Sequence, residues 1–417
     1  MRNNIEILLQ LLKINFLILS VLTTIAQTYD YALFGIASNY LAKEFMPDSD
    51  NHVQLTQIFL VLAISVAAKP LGAVIFGYIG DKYGRTTALK NTIILNFFSS
   101  IGISILPSYS SVGILSVILL AIFRMVALAG ISGETDGMRI YLSEKFPYNK
   151  QHFSTAIVNS SMEIGVLFAI IFCSLEINNQ YYFRILFLSG GFCNLILFYL
   201  RRILTESNKF IEYKKSQNYK ILSDLTFFQL CINYRKILIF GIIINGCIGG
   251  IYQFCIIFLF NFFKIIDIAG YSSNYIHLYG VLIYAVSSIP AGYFIDKLLK
   301  FRKIITTSTL TFIIVLLTIH LYYLQMNYFL SFIFLLICFI MPYYELIFQI
   351  YYRRLINTGV RYRITSISHS LGSVLISSPA SFIAMSLYNL SDNIIFSFLY
   401  LYILVVSLFF TAIMIKI

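Results

Sequence analysis

Charge is scarce in this chain and tryptophan is absent. Only 12% of its 417 residues are Asp, Glu, Lys or Arg, against 59% hydrophobic residues and a mean hydropathy of +0.82. That balance excludes a soluble globular domain, which needs far more polar surface, and makes lipid the expected solvent. The six cysteines form no C-x-x-C pair and have no histidine at metal-ligand spacing. A zinc ribbon or dithiol centre is therefore excluded, and buried free thiols are expected. No G-x-x-x-x-G-K-[ST] stretch occurs, so nucleotide-driven pumping by this chain alone is excluded. No nucleophile–base set or metal cluster suggests an enzyme. The missing Trp, with heavy use of Ile, Asn, Lys, Tyr and Phe, points to AT-rich coding and a bacterial source.

Long apolar runs fill the rest. A bilayer core of about 30 Å needs about 20 apolar residues per helix, and twelve such runs occur: 14–41, 54–78, 87–106, 111–134, 153–175, 182–204, 237–260, 272–295, 304–325, 327–352, 363–388 and 393–417. The first, after Arg2 and Lys13, is longer than a signal peptide's apolar region and no A-x-A-like site follows, so it reads as a retained span. Helices are expected, because barrel strands would be short and alternating.

The net charge of +12 would suggest nucleic acid in a soluble chain, but here the cations lie in short tracts between apolar runs, where they set orientation. Lys82, Arg85 and Lys90 follow span two, Lys145 and Lys150 span four, Lys209, Lys214, Lys215 and Lys220 span six. Lys297, Lys300, Arg302 and Lys303 follow span eight, and Arg353, Arg354, Arg361 and Arg363 span ten. The opposite loops, PDSDN at 47–51, SYSS at 108–111, EINNQ at 176–180 and LSDN at 390–393, are free of cations. Even-numbered spans therefore end in the cytoplasm, and both termini lie there. The one long polar tract, 205–236, reads as a cytoplasmic linker with an interfacial helix at 221–230. It separates a six-helix bundle at 1–204 from another at 237–417.

One charged turn occurs twice. GYIGDKYGR at Gly77–Arg85 returns half a chain later as GYFIDKLLKFR at Gly292–Arg302. This repeat predicts an all-α integral membrane protein whose twelve transmembrane helices form two pseudosymmetric six-helix bundles. Gly77 allows close helix approach, Gly84 a tight turn, and Asp81 and Arg85 are placed to pair across the helix ends.

This pattern resembles the major facilitator superfamily, whose signature is a Gly-rich charged loop after span two with an echo after span eight. A narrower likeness is to its metabolite:proton symporters, the branch of proline/betaine, α-ketoglutarate, citrate and shikimate carriers. It rests on QTYDYALFG at Gln27–Gly35, KPLGAVIFGYIGDKYGR at Lys69–Arg85, ILPSYSSVG at Ile105–Gly113, and the spacing of Arg124, Gly133, Glu134, Glu144 and Pro147. YFRILFL with RRILTES, and VRY at Val360–Tyr362 with the HSLG that follows, extend it. The resemblance implies that Asp81 holds the two halves together on the cytoplasmic side, with Asp296 its pseudosymmetric counterpart. The chain departs from that branch at Gln27 (Glu there), Thr28 (Trp), Lys69 (Arg), Ala127–Leu128 (Gln-Gly), Ser132 (Gly) and Ser370 (Asn).

Charges within the spans mark the expected site, because one at the bilayer centre costs at least about 2.5 kcal/mol unless paired, wetted or used. Asp30 lies 17 residues before Pro47 and Arg124 17 after Pro107, so at about 1.5 Å per residue both sit about 25 Å from the outer boundary. Spans one and four line the cavity in this fold, so the two can pair and exchange that pair for a proton or substrate. Glu163 is the second candidate for the coupling proton, and Gln27, Asn245 and Glu345, after Pro342, complete the expected substrate and coupling set. Glu134 and Glu144 read as gate residues beside Gly77, Asp81, Gly84, Arg85 and Asp296. Tyr29, Tyr31 and Tyr252 are candidate cation–π faces, and His369 is a packing residue.

The expected function is secondary transport: inward movement of a small polar metabolite with protons by alternating access in a bacterial cytoplasmic membrane, driven by the proton gradient without a cofactor or metal. A single deep arginine among several acids favours a proline/betaine-type zwitterion. A di- or tricarboxylate:proton symporter and a non-transporting sensor derived from a carrier are the alternatives. The expected partners are substrate, protons and lipid, with no nucleic acid, and the expected state is a monomer.

Overall fold

The computed structural model describes residues 2–46, 51–175, 181–216, 224–258, 273–297, 327–391 and 394–414, together with Tyr219 and Leu222. Every regular element among them is a helix. Ten helices are long and apolar enough to cross a membrane, and the helix Ile394–Met414 adds a shorter apolar stretch, Phe396–Leu408. Expected span nine (304–325), the cations Lys300, Arg302 and Lys303, and most of the loops at 47–51 and 176–180 lie outside the described residues.

Two details of the expected spans change. Span two is divided at Ala67 into the helices Asn51–Val66 and Ala68–Lys82. Pro70 explains the break, since it has no N–H for the carbonyl four residues back at Val66. In the linker, Thr226 and Gln229 form a capping box that starts a helix at Phe227–Asn233, running past the expected end at 230; Ile221 and Ser223 of the expected stretch lie outside the described residues. Pro290 and Pro342 stay within continuous helices.

The chain divides into two compact units. The first holds Met1–Lys145, Ser161–Asp224 and Thr358–Ser366; the second holds Phe146–Ser160, Leu225–Asn357 and Ile367–Ile417. Each unit therefore contains one short segment from the other half of the sequence. In the first, the helix Arg85–Ile105 packs against both Ile114–Lys145 and Tyr182–Leu200, while Arg2–Ile36 lies on Tyr182–Leu200. Leu33, Phe34, Phe45, Leu120, Phe183 and Phe187 fill its apolar core. In the second, Ser273–Lys297 packs on Asn327–Arg354, and Arg235–Tyr252 lies against a π-helical turn at Ser373–Ser377.

Burial is inverted relative to a water-soluble protein. Leu71, Ile75, Ile105, Ile122 and Ile196 are exposed, whereas Asp81, Arg85 and Arg201 are completely enclosed. That is the pattern of helices solvated by hydrocarbon, where polar groups must be satisfied inside the bundle. Apolar burial then drives little association, so the helices depend on close packing through small residues. At Gly72 a β-carbon would collide with the main chain of Ala129, while at Gly35 it would meet nothing within 4 Å.

Gly72→Ala should therefore destabilise the protein by about 1–3 kcal/mol, because the opposing backbone cannot yield. Gly35→Ala should be neutral or slightly stabilising. Thermal unfolding of the two variants in detergent checks this, and equal midpoints would contradict the close packing.

Candidate substrate cavity and charge cluster

Asp81 closes the helix Ala68–Lys82 and is fully buried, yet it does not lack partners. Its carboxylate accepts the backbone N–H groups of Tyr362 (3.1 Å) and Arg363 (2.9 Å), Arg85 Nη1 (2.6 Å) and Arg363 Nε (3.3 Å). Tyr362 and Arg363 open the helix Arg361–Gly372, so the acid sits where unsatisfied amides and the helix dipole favour a negative charge. Gly77 and Gly80 permit this approach, since a β-carbon on either would collide with Arg363 or Tyr362. Gly84, at φ 122°, supplies a turn that L side chains rarely adopt.

Arg85 also bonds the carbonyls of Gly80 (2.7 Å) and Thr358 (2.8 Å) and reaches both oxygens of Glu144 at 3.3 Å. Glu144 accepts from Arg361 Nη1 (3.0 Å) and Ser207 Oγ (2.7 Å) as well. Glu134 receives both terminal nitrogens of Arg201 and the Thr92 hydroxyl, the latter at 2.6 Å. The linker covers this cluster: Glu206 caps Thr86, Tyr219 donates to the Lys82 carbonyl, and Arg363 Nη2 reaches the Leu222 carbonyl. Burial there pushes the Tyr213 phenol up to about 12, with the Asp81 charge adding to the effect.

The second unit repeats the device. Asp296 accepts the backbone N–H groups of His152 (3.3 Å) and Phe153 (2.9 Å), at the start of the helix Gln151–Ser174, and lies 2.7 Å from His152 Nδ1. Arg354 flanks it, bonded to Gln151 Oε1 and stacked 3.8 Å from the Tyr148 ring centre.

A different environment surrounds Asp30 and Arg124. Both line one cavity of the first unit with Gln27, Tyr31, Asn96 and Ala127, enclosing about 310 Å³ including the part open to solvent. At its centre there is room for about one ordered water. No ion pair joins the two charges. Asp30 Oδ2 is taken by the Asn194 amide, and Arg124 donates to the Tyr31 carbonyl (3.2 Å) with its guanidinium over the rings of Phe34 (4.5 Å) and Tyr31 (5.2 Å). The polar set is incomplete: Asp30 Oδ1, Arg124 Nε, Asn96 Oδ1 and both amide atoms of Gln27 are buried without a hydrogen-bond partner among the described residues. Leaving such groups unmet costs about 1–3 kcal/mol each.

The remaining expected residues lie apart. Glu163 is buried in Gln151–Ser174 but does not line this cavity. Asn245 turns back onto the Gly241 carbonyl (2.9 Å), and Glu345 accepts from the Tyr284 hydroxyl and Gln349 Nε2, both in the second unit. Tyr31 reaches the cavity, but its ring already carries Lys69 (5.4 Å) and Arg124. Tyr29 points to the Leu186 carbonyl and Tyr252 packs edge-on against Tyr284. Sequence reasoning missed Arg201, Asn194, Asn96 and His152. An amide within an apolar run, as in FCNLILFYL, was the available signal for Asn194.

The sequence model of the Major Facilitator Superfamily matches residues 19–377. A candidate proline/betaine transporter of Staphylococcus aureus is 33% identical over 220 residues, 50% of this chain and 46% of that protein. The proline/betaine transporter of Escherichia coli K12 is 34% identical over 125 residues, 30% of this chain and 25% of that one. The chain thus matches less than half the length of these curated relatives. Among solved structures, the proton:xylose symporter XylE bound to a bromodeoxyglucose superposes with TM-score 0.73 at 16% identity, covering 95% of this chain and 94% of that one. The transporter FucP in its outward conformation superposes with TM-score 0.74 at 11% identity, over 96% and 98%.

Arg201→Met should strand the Glu134 charge and destabilise the protein by about 3–5 kcal/mol, whereas Glu134→Gln combined with Arg201→Met should recover much of that loss. Yields of folded protein and thermal midpoints in detergent decide this. A double variant no better than the single one would contradict the pairing.

Proposed function

The chain belongs to the Major Facilitator Superfamily, and from that premise we propose that it is a proton-coupled symporter taking up a small polar zwitterion of the proline/betaine type by alternating access. The observation that carries the reading is the cavity in which Asp30, Arg124 and Gln27 keep buried polar atoms unmet. A bound zwitterion supplies part of what is missing: its carboxylate answers Arg124, beside a protonated Asp30 that no longer repels it. Protonation of Asp30 cancels the one acidic charge of the cavity lining, so proton and substrate occupancy are linked there. The names of the Staphylococcus and Escherichia relatives support this substrate class.

One observation favours a second reading. Lys69 and Arg124 both face Tyr31, which gives the site two cations against Asp30 and suits a di- or tricarboxylate. The same arrangement argues against a quaternary ammonium resting on the Tyr31 ring, since two cations already hold it.

Within this proposal the bundles 1–204 and 237–417 are joined by the cytoplasmic linker 205–236. The protein works as a monomer in the bacterial inner membrane with both termini in the cytoplasm, and the Asp81 cluster is its cytoplasmic gate.

Uptake into proteoliposomes of labelled proline, glycine betaine, α-ketoglutarate and citrate, with and without an inward proton gradient, tests the proposal. Gradient-dependent accumulation of a zwitterion is the expected outcome; accumulation of a carboxylate would select the second reading, and no accumulation would refute both. Asp30→Asn should abolish gradient-driven accumulation while leaving exchange of labelled for unlabelled substrate intact, and Arg124→Gln should abolish both. Asp81→Asn should slow turnover several-fold with substrate affinity within about twofold, because it weakens the gate and not the site. Transport kinetics beside equilibrium binding would expose the opposite pattern.

A further inference from the structure

Three neutral acceptors line the cavity that holds Asp30 and Arg124. Asn96, on the helix Arg85–Ile105, is 3% exposed, and its Oδ1 has no partner among the described residues. Gln27, 1% exposed, leaves its Oε1 unmet in the same way. Ser99 follows Asn96 by three residues, on the same helix face. It gives its hydroxyl proton to the Phe123 carbonyl (2.7 Å), so toward the cavity its oxygen can only accept.

These oxygens matter once Asp30 is protonated, as the proposed symport requires. The substrate carboxylate then faces Arg124, and no carboxylate of the lining is left to hold the cationic nitrogen. Neutral oxygens must hold it, and they do so best through N–H groups, since a charged donor makes the stronger hydrogen bond.

Size points the same way. The centre of the cavity has room for about one water, and an ammonium head is close to a water in size. A trimethylammonium head is far bulkier and brings no N–H, so it displaces that water and leaves the amide oxygens stranded. Aromatic faces, the usual seat of a quaternary ammonium, do not make up for this. The Tyr31 ring already carries Lys69 and Arg124, and Phe187, the other ring of the lining, is packed into the apolar core.

We infer that the site takes a zwitterion whose cationic nitrogen carries hydrogen, a primary or secondary amino acid, and rejects the fully methylated betaine, with Asn96 setting the choice. The inference rests on the proposed zwitterion symport and narrows its substrate. The N–H groups donate to Asn96 Oδ1 and Gln27 Oε1 while the carboxylate meets Arg124. A site built to receive N–H donors discriminates against an analogue that lacks them, because its own buried oxygens are then left unpaired.

Proline, N-methylproline and N,N-dimethylproline test this, since they keep one ring and one carboxylate while the N–H groups fall from two to none. Binding to the purified wild-type protein in detergent is read from the concentration that gives half-maximal thermal protection. Each lost N–H should weaken binding about tenfold, about a hundredfold across the series. Asn96→Leu removes the acceptor and keeps the side-chain size. It should weaken proline about tenfold and leave dimethylproline within about twofold, so that the ratio between them contracts. Dimethylproline binding as tightly as proline would overturn the inference and leave the zwitterion reading standing. A wild-type ratio in Asn96→Leu would overturn it too, because size alone would then set the choice. The wild-type series stands on its own where the variant gives no folded protein. Protection by citrate or α-ketoglutarate and by none of the three prolines would remove the zwitterion reading and this inference with it.

Discussion

A buried carboxylate with four donors, Asp81, is the contact on which the rest of the charge cluster depends. Two of those donors are the opening backbone amides of Arg361–Gly372, so one side chain both neutralises Arg85 and ends the hydrogen-bond deficit of a helix terminus. Neither function tolerates water poorly aligned in its place, because the acid is wholly enclosed. Arg85 then carries the constraint onward to Glu144 and to the Thr358 carbonyl, and Glu144 carries it to Arg361 and the linker residue Ser207. In a chain of charge-assisted bonds of this kind each bond polarises the next, so the cluster is held more firmly than its single pairs.

Asp296 caps Gln151–Ser174 in the same manner. Both acids follow the sequence Gly-Tyr-x-x at the end of an apolar helix, and both meet the first amides of a helix drawn from the other half of the sequence. Their arginine surroundings differ: Asp81 has Arg85 and Arg363 in direct contact, while Asp296 has the imidazole of His152. The backbone part of the device is common to both because helix termini always present unmet amides; the side-chain part differs.

The cavity obeys the opposite rule. In the charge cluster each acid meets several donors, whereas Asp30, Gln27, Asn96 and Arg124 bury polar atoms that have no partner among the described residues. The departures at Gln27 and Ala127 fall here too: they remove charge or polar groups from the cavity wall and leave Asp30 as its one acid.

Hydropathy alone determined that this chain spans a membrane as helices, because a run of about 20 apolar residues has few other stable states in lipid. The repeated turn singled out Asp81 and Asp296, which both accept the first amides of a helix, and charges within apolar runs singled out Asp30 and Arg124, which line one cavity. Which groups those charges meet was decided only in three dimensions. Arg361 and Arg363 read as orienting cations and turned out to bond Glu144 and Asp81; Arg201 and Asn194 read as the end and interior of an apolar span and turned out to hold Glu134 and Asp30. Such partners lie 67 to 282 residues apart along the chain. Spacing along the chain fixes depth within a helix bundle, but the rotation of each helix about its own axis is set by packing against its neighbours, and that rotation decides which side chains meet.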